Sequence, residues 1–211
     1  MKDAMKPAFP FHVRRLMAGG LLMLLGACQA VPDRATLSQK DEITRVEHYL
    51  NDTHGLGAHF VQTWPDGGKG DGKLYYDPGR LRLDYTTPAA MKLTAANGHL
   101  VFIDPRRDSV TRMSLGHQPL GLLLQQPVHL DGEIVVTSVQ HGTNSLQVSM
   151  ARSDSPSQGL LTLGFSDISG TLSLIAIEMT DVERQHIRLD LDDVHAGPAW
   201  PDDLFSLNTT K

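Results

Sequence analysis

Strict alternation of apolar and polar residues, repeated in short segments, is the feature that most limits what this chain can fold into. In Arg80-Leu81-Arg82-Leu83-Asp84-Tyr85, Leu81, Leu83 and Tyr85 fall on one face and charge on the other, which is the twofold period of a half-buried strand. The pattern recurs over residues 91–95, 134–139, 146–150, 161–165 and 187–191. Strands with one dry and one wet face predict an antiparallel sheet. Turn residues punctuate them at short intervals: Asp66-Gly67-Gly68, Asp77-Pro78-Gly79, Asn97-Gly98, His141-Gly142 and Ser169-Gly170. Asn97-Gly98 carries the strongest hairpin signal, because a type I′ turn needs positive φ at both central residues. Strands joined this tightly make a meander.

Two segments depart from the alternation. Ser38 with Asp41 three residues on is a capping-box pattern, and Ile43, Val46, Tyr49 and Leu50 share one face of a 3.6-residue helix. That helix is expected to end near Asn51, before Gly55 and Gly57. The second segment, Gln118-Pro119-Leu120-Gly121-Leu122-Leu123-Leu124, is apolar, with a proline placed to begin a short helix. It reads as a plug in a barrel end or as a lid over an apolar cavity. A curved antiparallel sheet must close or cover its apolar face. The predicted fold is therefore mainly β with short helices: a half-open antiparallel β-barrel, or curved sheet, with an N-terminal helix and a helical lid.

Residues 1–27 stand apart. Lys2, Lys6, Arg14 and Arg15 precede the apolar run 16–25 and a small-residue site, the layout of a secretory signal peptide. A run of about ten residues is half of the ~20 that a bilayer-spanning helix needs. Leu25-Gly26-Ala27-Cys28 resembles the bacterial lipobox, and Cys28 is the one cysteine of the chain. The resemblance implies lipid attachment at Cys28 and membrane anchoring through it; Gln29 behind the cysteine favours the outer membrane. The alternative is a plain signal peptide and a soluble periplasmic protein. Residues 28–37, with Pro32 and no periodicity, read as a tether, and 38–211 as the folded domain.

The leader holds four Lys/Arg and one Asp, so the remainder carries 15 basic and 23 acidic residues, a net of −8. This balance argues against nucleic acid as a partner, since phosphate binding rests on Lys and Arg, and against a polybasic membrane patch. A single cysteine also excludes a disulfide framework. The chain contains no Gly-x-Ser-x-Gly elbow, no His-Glu-x-x-His motif and no phosphate-binding glycine loop. The expectation is a non-enzyme without cofactor or metal. His54 and His59 are not spaced as a ligand pair, and Asp192-Asp193 and Asp202-Asp203 read as solvated loop charges. Gly67-Gly68 and Gly70-Asp71-Gly72 read together as a hairpin connection, because no helix follows them.

The order of these elements, with several local motifs, resembles the outer-membrane lipoprotein carrier family, the LolA/LolB-type periplasmic lipoprotein-binding proteins. The matching pieces are Phe60-Val61-Gln62, Pro78-Gly79-Arg80-Leu81-Arg82-Leu83-Asp84-Tyr85, Asn97-Gly98 with Phe102-Ile103-Asp104-Pro105, and Ser109-Val110-Thr111. Residues 119–124, Met179-Thr180-Asp181 and Asp203-Leu204-Phe205-Ser206-Leu207 complete them, so that the resemblance runs from about Ser38 to Leu207. It implies a half-open barrel with a helical lid that holds the acyl chains of acylated lipoproteins and assists their transport to the outer membrane. The implied partners include an inner-membrane lipoprotein-releasing transporter or a partner carrier. Two features depart from the pattern: Asp77 stands where carriers have an arginine that pairs with the lid, and the chain stops at Lys211 without the carriers' tail. Both leave room for an anchored, receptor-like acceptor.

An acyl chain of about fifteen methylenes costs on the order of 12 kcal/mol to expose to water, at roughly 0.8 kcal/mol per CH₂. A carrier must offset most of that with an apolar cavity. Phe60, Trp64, Leu83, Tyr85, Met91, Leu93 and Phe102 are the candidate walls, with Leu120, Leu122, Leu123 and Leu124 from the lid. Ordinary core packing is the competing reading for each, since alternation alone does not separate a filled barrel from a hollow one. The functional alternatives are a binder of another envelope lipid, phospholipid or glycolipid, a structural envelope lipoprotein with a filled barrel, and, against the motif evidence, an enzymatic envelope protein.

Overall fold

The computed structural model describes residues 38–208; the expected leader, Cys28 and the tether lie outside the described residues. The chain opens with helix α1, Gln39–Asp52. Its capping box is formed, with Asp41 N donating to the Ser38 hydroxyl and Ser38 N donating to the Asp41 carboxylate, both at 3.3 Å. Val46 and Leu50 are buried, and Ile43 and Tyr49 pack beside them. The helix ends one residue past Asn51.

Among the described residues eleven strands follow, all paired antiparallel in one sheet: β1 Leu56–Thr63, β2 Lys69–Asp77, β3 Arg80–Thr87, β4 Lys92–Ala96, β5 His99–Asp104, β6 Ser109–Ser114, β7 Ile134–His141, β8 Ser145–Arg152, β9 Gly159–Ile168, β10 Thr171–Asp181 and β11 His186–His195. Their order is β6-β5-β4-β3-β2-β1-β11-β10-β9-β8-β7. Two meanders are thus joined edge to edge by the β1–β11 pair, and β6 and β7 remain unpaired with each other. The sheet is curved but not closed, as a half-open barrel requires. Asn97 and Gly98 both have positive φ, 51° and 73°, and so do Ser169 and Gly170, 54° and 84°, so the I′ geometry predicted at Asn97-Gly98 is present and recurs at the second turn.

Among the strands outside the alternating segments, β10 and β2 each have a local reason. In β10 the register with β9 shifts between Leu174 and Ala176; Leu174 is buried before the shift, and Ile177 is buried after it. A bulge of this kind flips the parity of a strand, so its sequence shows no unbroken period of two. In β2 the inward positions ahead of Leu74 and Tyr76 are Gly70 and Gly72. The reading of Gly70-Asp71-Gly72 as a hairpin connection is corrected here: the turn is confined to residues 64–68, and both glycines lie within the strand. A Cβ on Gly70 would strike the Trp64 ring, and one on Gly72 would collide with the Asp84 carbonyl, so glycine is what the close packing admits.

The long connection from β6 to β7, residues 115–133, crosses the inner face and contains the second helix, α2, Leu120–Leu123. Helix α1 holds its far end. Val128 N donates to Asn51 Oδ1 at 2.8 Å, Asn51 returns a bond to the Val128 carbonyl at 2.9 Å, and Leu130 N donates to Glu47 Oε1 at 2.7 Å. The helix is itself pinned to the second meander, where Arg45 bridges buried Glu42 at 2.6 Å and Asp167 at 3.1 Å.

Candidate functional site: an apolar cavity under the open edge

The inward residues of β3, Leu81, Leu83 and Tyr85, face those of β11, Ile187 and Leu189, across a cavity of about 330 Å³. Leu93 of β4, Leu100 and Phe102 of β5, and Ile177 and Met179 of β10 complete the apolar wall, and Gln118, Pro119 and Leu120 cover it. Its size is at the lower end of the roughly 300–1,000 Å³ range of small-molecule sites. Thr111 and Met113 of the edge strand β6 also line the space, so it extends to that edge. Asp181 and Gln185 stand at the β10–β11 turn as the polar rim.

An aromatic cluster forms one end. Tyr85 meets Phe60 edge-on at 5.0 Å and Phe102 edge-on at 6.3 Å, and stacks with Trp64 at 6.3 Å. Its hydroxyl donates to the side-chain oxygen of Gln62. Burial pushes the Tyr85 phenol well above its ordinary range, so it stays a neutral donor, and its hydroxyl and the Gln62 oxygen satisfy each other. The cavity wall therefore offers an apolar guest dispersion contacts, with that hydrogen bond already closed.

Of the residues expected to form the site, Leu83, Tyr85, Leu93, Phe102 and Leu120 line the cavity. Phe60 and Trp64 stand behind Tyr85, and Met91 is buried beside it, with Tyr85 N donating to its carbonyl at 3.0 Å. Leu122 and Leu123 are buried in the core away from the cavity, and Leu124 packs against that core. Leu81, Leu100, Ile177, Met179, Ile187 and Leu189 were missed as wall residues. Parity could have flagged Leu81, Ile187 and Leu189, which sit two residues apart on strands already legible. Met179 lies beyond the β10 shift, where parity gives no guidance.

Asp77, the departure from the carrier pattern, is almost wholly buried and accepts from Gly55 N at 2.6 Å and Trp200 N at 2.9 Å. Arg80 joins it at 3.2 Å and reaches Asp202 at 2.5 Å, with its guanidinium 4.6 Å from the Phe205 ring centre. Together they strap the C-terminal segment across the β2–β3 turn. Asp202 is thus ion-paired, while Asp192 and Asp193 lie within β11, which corrects their reading as loop charges: cross-strand pairing carries β11 through to His195 opposite Gly57. Asp192 faces His59 at 3.2 Å, with Asp71 at 3.7 Å on the other side of the ring. Glu47, His129 and Asp131 bring donor atoms within 4.8 Å of one another, but Glu47 already accepts from the linker backbone.

Residues 51–208 match the family described as the outer membrane lipoprotein carrier protein LolA. The chain belongs to that family. Among solved structures, a LolA superfamily protein of Nitrosomonas europaea shares 12% identity, with 81% of this chain and 98% of that one covered and a TM-score of 0.46. MucB shares 12% identity over 83% of this chain and 64% of its own, with a TM-score of 0.44. The Mycobacterium tuberculosis lipoprotein LppX shares 10% over 78% and 100%, with a TM-score of 0.40. No curated protein sequence matches the chain. No helix among the described residues is long and apolar enough to cross a membrane.

Proposed function

We propose that this member of the LolA family binds the acyl chains of lipoproteins in the cavity between β3–β6 and β10–β11 and assists their passage to the outer membrane. The observation that carries the reading is the cavity itself: about 330 Å³ of apolar-walled space on the inner face of a sheet that does not close. An apolar void forgoes packing that a filled core would gain, and its use is to take up an apolar guest. Each methylene withdrawn from water contributes roughly 0.8 kcal/mol, enough for capture. A cavity that extends to one edge lets the same chain leave without unfolding the barrel.

The role is binding and transfer rather than catalysis, with cargo passing on by differences in affinity. Lipidation at Cys28 would make the protein an anchored acceptor on the periplasmic face of the outer membrane; without it the protein would be a soluble carrier. The test uses the full chain, produced in the cytosol with Cys28→Ala so that it carries no lipid of its own. Saturable binding of a fluorescent fatty acid, displaced by a triacylated peptide, is expected; no saturable uptake of the probe would sink the reading. Intact mass of the native mature protein from a Gram-negative host then separates acceptor from carrier.

A further inference from the structure

One polar side chain on the cavity wall is only half used. Gln62 of β1 is 5% exposed and lines the cavity among leucines, isoleucines and aromatic rings. Its oxygen accepts the Tyr85 hydroxyl. Its amide nitrogen, Nε2, carries two further donor hydrogens and has no hydrogen-bond partner among the described residues, yet it is not sealed away from the space it borders. Buried amides are almost always paired, because a donor taken out of water without an acceptor loses its hydration with nothing in return. The tyrosine and the carboxamide bring three polar hydrogens to one bond, so whichever way round the amide is set, a donor is left for the cavity.

The place of Gln62 along the cavity gives that donor a use. On the sheet Gln62 stands opposite Leu189 of β11 and Gly70 of β2, toward the β10–β11 turn whose Asp181 and Gln185 form the rim. The purely apolar part lies on its other side. Leu81 is four residues along β3 from Tyr85, roughly 13 Å of strand, and Leu100 and Met113 continue the Leu81 row across β5 and β6. A guest with its tail beside that row brings its head to Gln62 before it reaches the rim. No lysine, arginine or histidine is among the described residues that line the cavity, so the donor suits a neutral oxygen rather than a carboxylate.

We propose that Gln62 recognises the ester carbonyl oxygen at the head of a bound acyl chain, its Nε2 group donating to that oxygen. The proposal rests on the acyl-binding reading above and adds which part of the guest is read. An acyl chain differs from a bare alkyl tail by its carbonyl oxygen, which must also leave water when the chain enters. Inside the cavity the amide and the carbonyl satisfy each other, so the bond discriminates against a guest that lacks the oxygen. The apolar walls hold the tail. Gln62 sets how far it enters, and the group to which the acyl chain is attached is left at Asp181 and Gln185.

The test uses the full chain carrying Cys28→Ala and two single-chain glycerolipids of equal length, one joined to glycerol by an ester and one by an ether, each displacing a fluorescent fatty acid. The parent is expected to prefer the ester about fivefold, the effect of one hydrogen bond. Equal affinity overturns the proposal. Gln62→Met combined with Tyr85→Phe removes both members of the polar pair, so that neither is left orphaned. Its ester-to-ether ratio should fall to about one, and a ratio unchanged from the parent overturns the proposal. A general loosening of the wall cancels in that ratio. Should the double variant bind neither lipid, an ester with an isotope-labelled carbonyl decides in the parent: its infrared stretch should lie below the value in an apolar solvent, and a stretch at that value overturns the proposal. If the parent fails to bind the fatty acid, the acyl-binding reading falls and this recognition with it, whereas binding without an ester preference refutes the role of Gln62 alone.

Discussion

Under β8 and β9 the inner face is solid: Leu146, Val148, Met150, Leu161, Leu163 and Phe165 are at most 1% exposed, and Tyr49 of α1 meets Phe165 edge-on at 5.3 Å. Under β3–β6 and β10–β11 a similar row of inward aliphatic residues encloses an open space instead. The strands of both regions turn aliphatic residues inward, and what differs is the cover. A 14-residue amphipathic helix fills the first region, whereas the cover of the second is residues 118–120, at the start of a four-residue helix. Short cover over a curved apolar face leaves a cavity, bordered on one side by Thr111 and Met113 of β6.

The sharpest way to break this comparison is to damage the solid region and look for an effect on the hollow one. Phe165→Ala removes a fully buried ring and should cost about 3–5 kcal/mol in urea unfolding, with fatty-acid affinity of the folded fraction unchanged. Asp77→Ala leaves Gly55 N and Trp200 N without their acceptor and strips Arg80 of its buried partner. A loss of about 3 kcal/mol is expected, accompanied by faster proteolysis at residues 199–205 and again without loss of acyl binding. Leu93→Trp inverts the experiment by filling the cavity: fatty-acid affinity should fall about tenfold, a change of ~1.4 kcal/mol, while the urea midpoint holds or rises. If Leu93→Trp binds normally, the guest lies elsewhere. The smallest effect belongs to Ser38→Ala, which removes the α1 cap at about 1 kcal/mol and should leave binding untouched.

Much of the fold could be read from residues with local rules. Ser38 and Asp41 announce a helix start because the unpaired amides of a first turn need acceptors nearby. Leu81, Leu83 and Tyr85 announce a strand face because alternation is what a pleat with one dry side demands. The short helix was marked by Pro119, yet its role was not: Leu120 reaches the cavity, while Leu122 and Leu123, two and three residues on, are buried in the core. The wall from β10 was hidden by the shift at Leu174 and Ala176, and β2 by glycines that clear space for Trp64 and β3.

The sequence by itself determined the class of the molecule, its hairpin register and its capped helix, since propensity, turn chemistry and alternation act within a few residues along the chain. Tertiary structure alone decided which apolar face is filled and which is hollow. That outcome depends on whether α1 or residues 118–120 come to lie over a given set of strands, and such meetings join residues more than a hundred positions apart, as Arg45 with Asp167 does. The assignment of Asp77 to a buried strap was decided the same way: its partners Gly55 and Trp200 lie 22 and 123 residues away, beyond the reach of any local pattern.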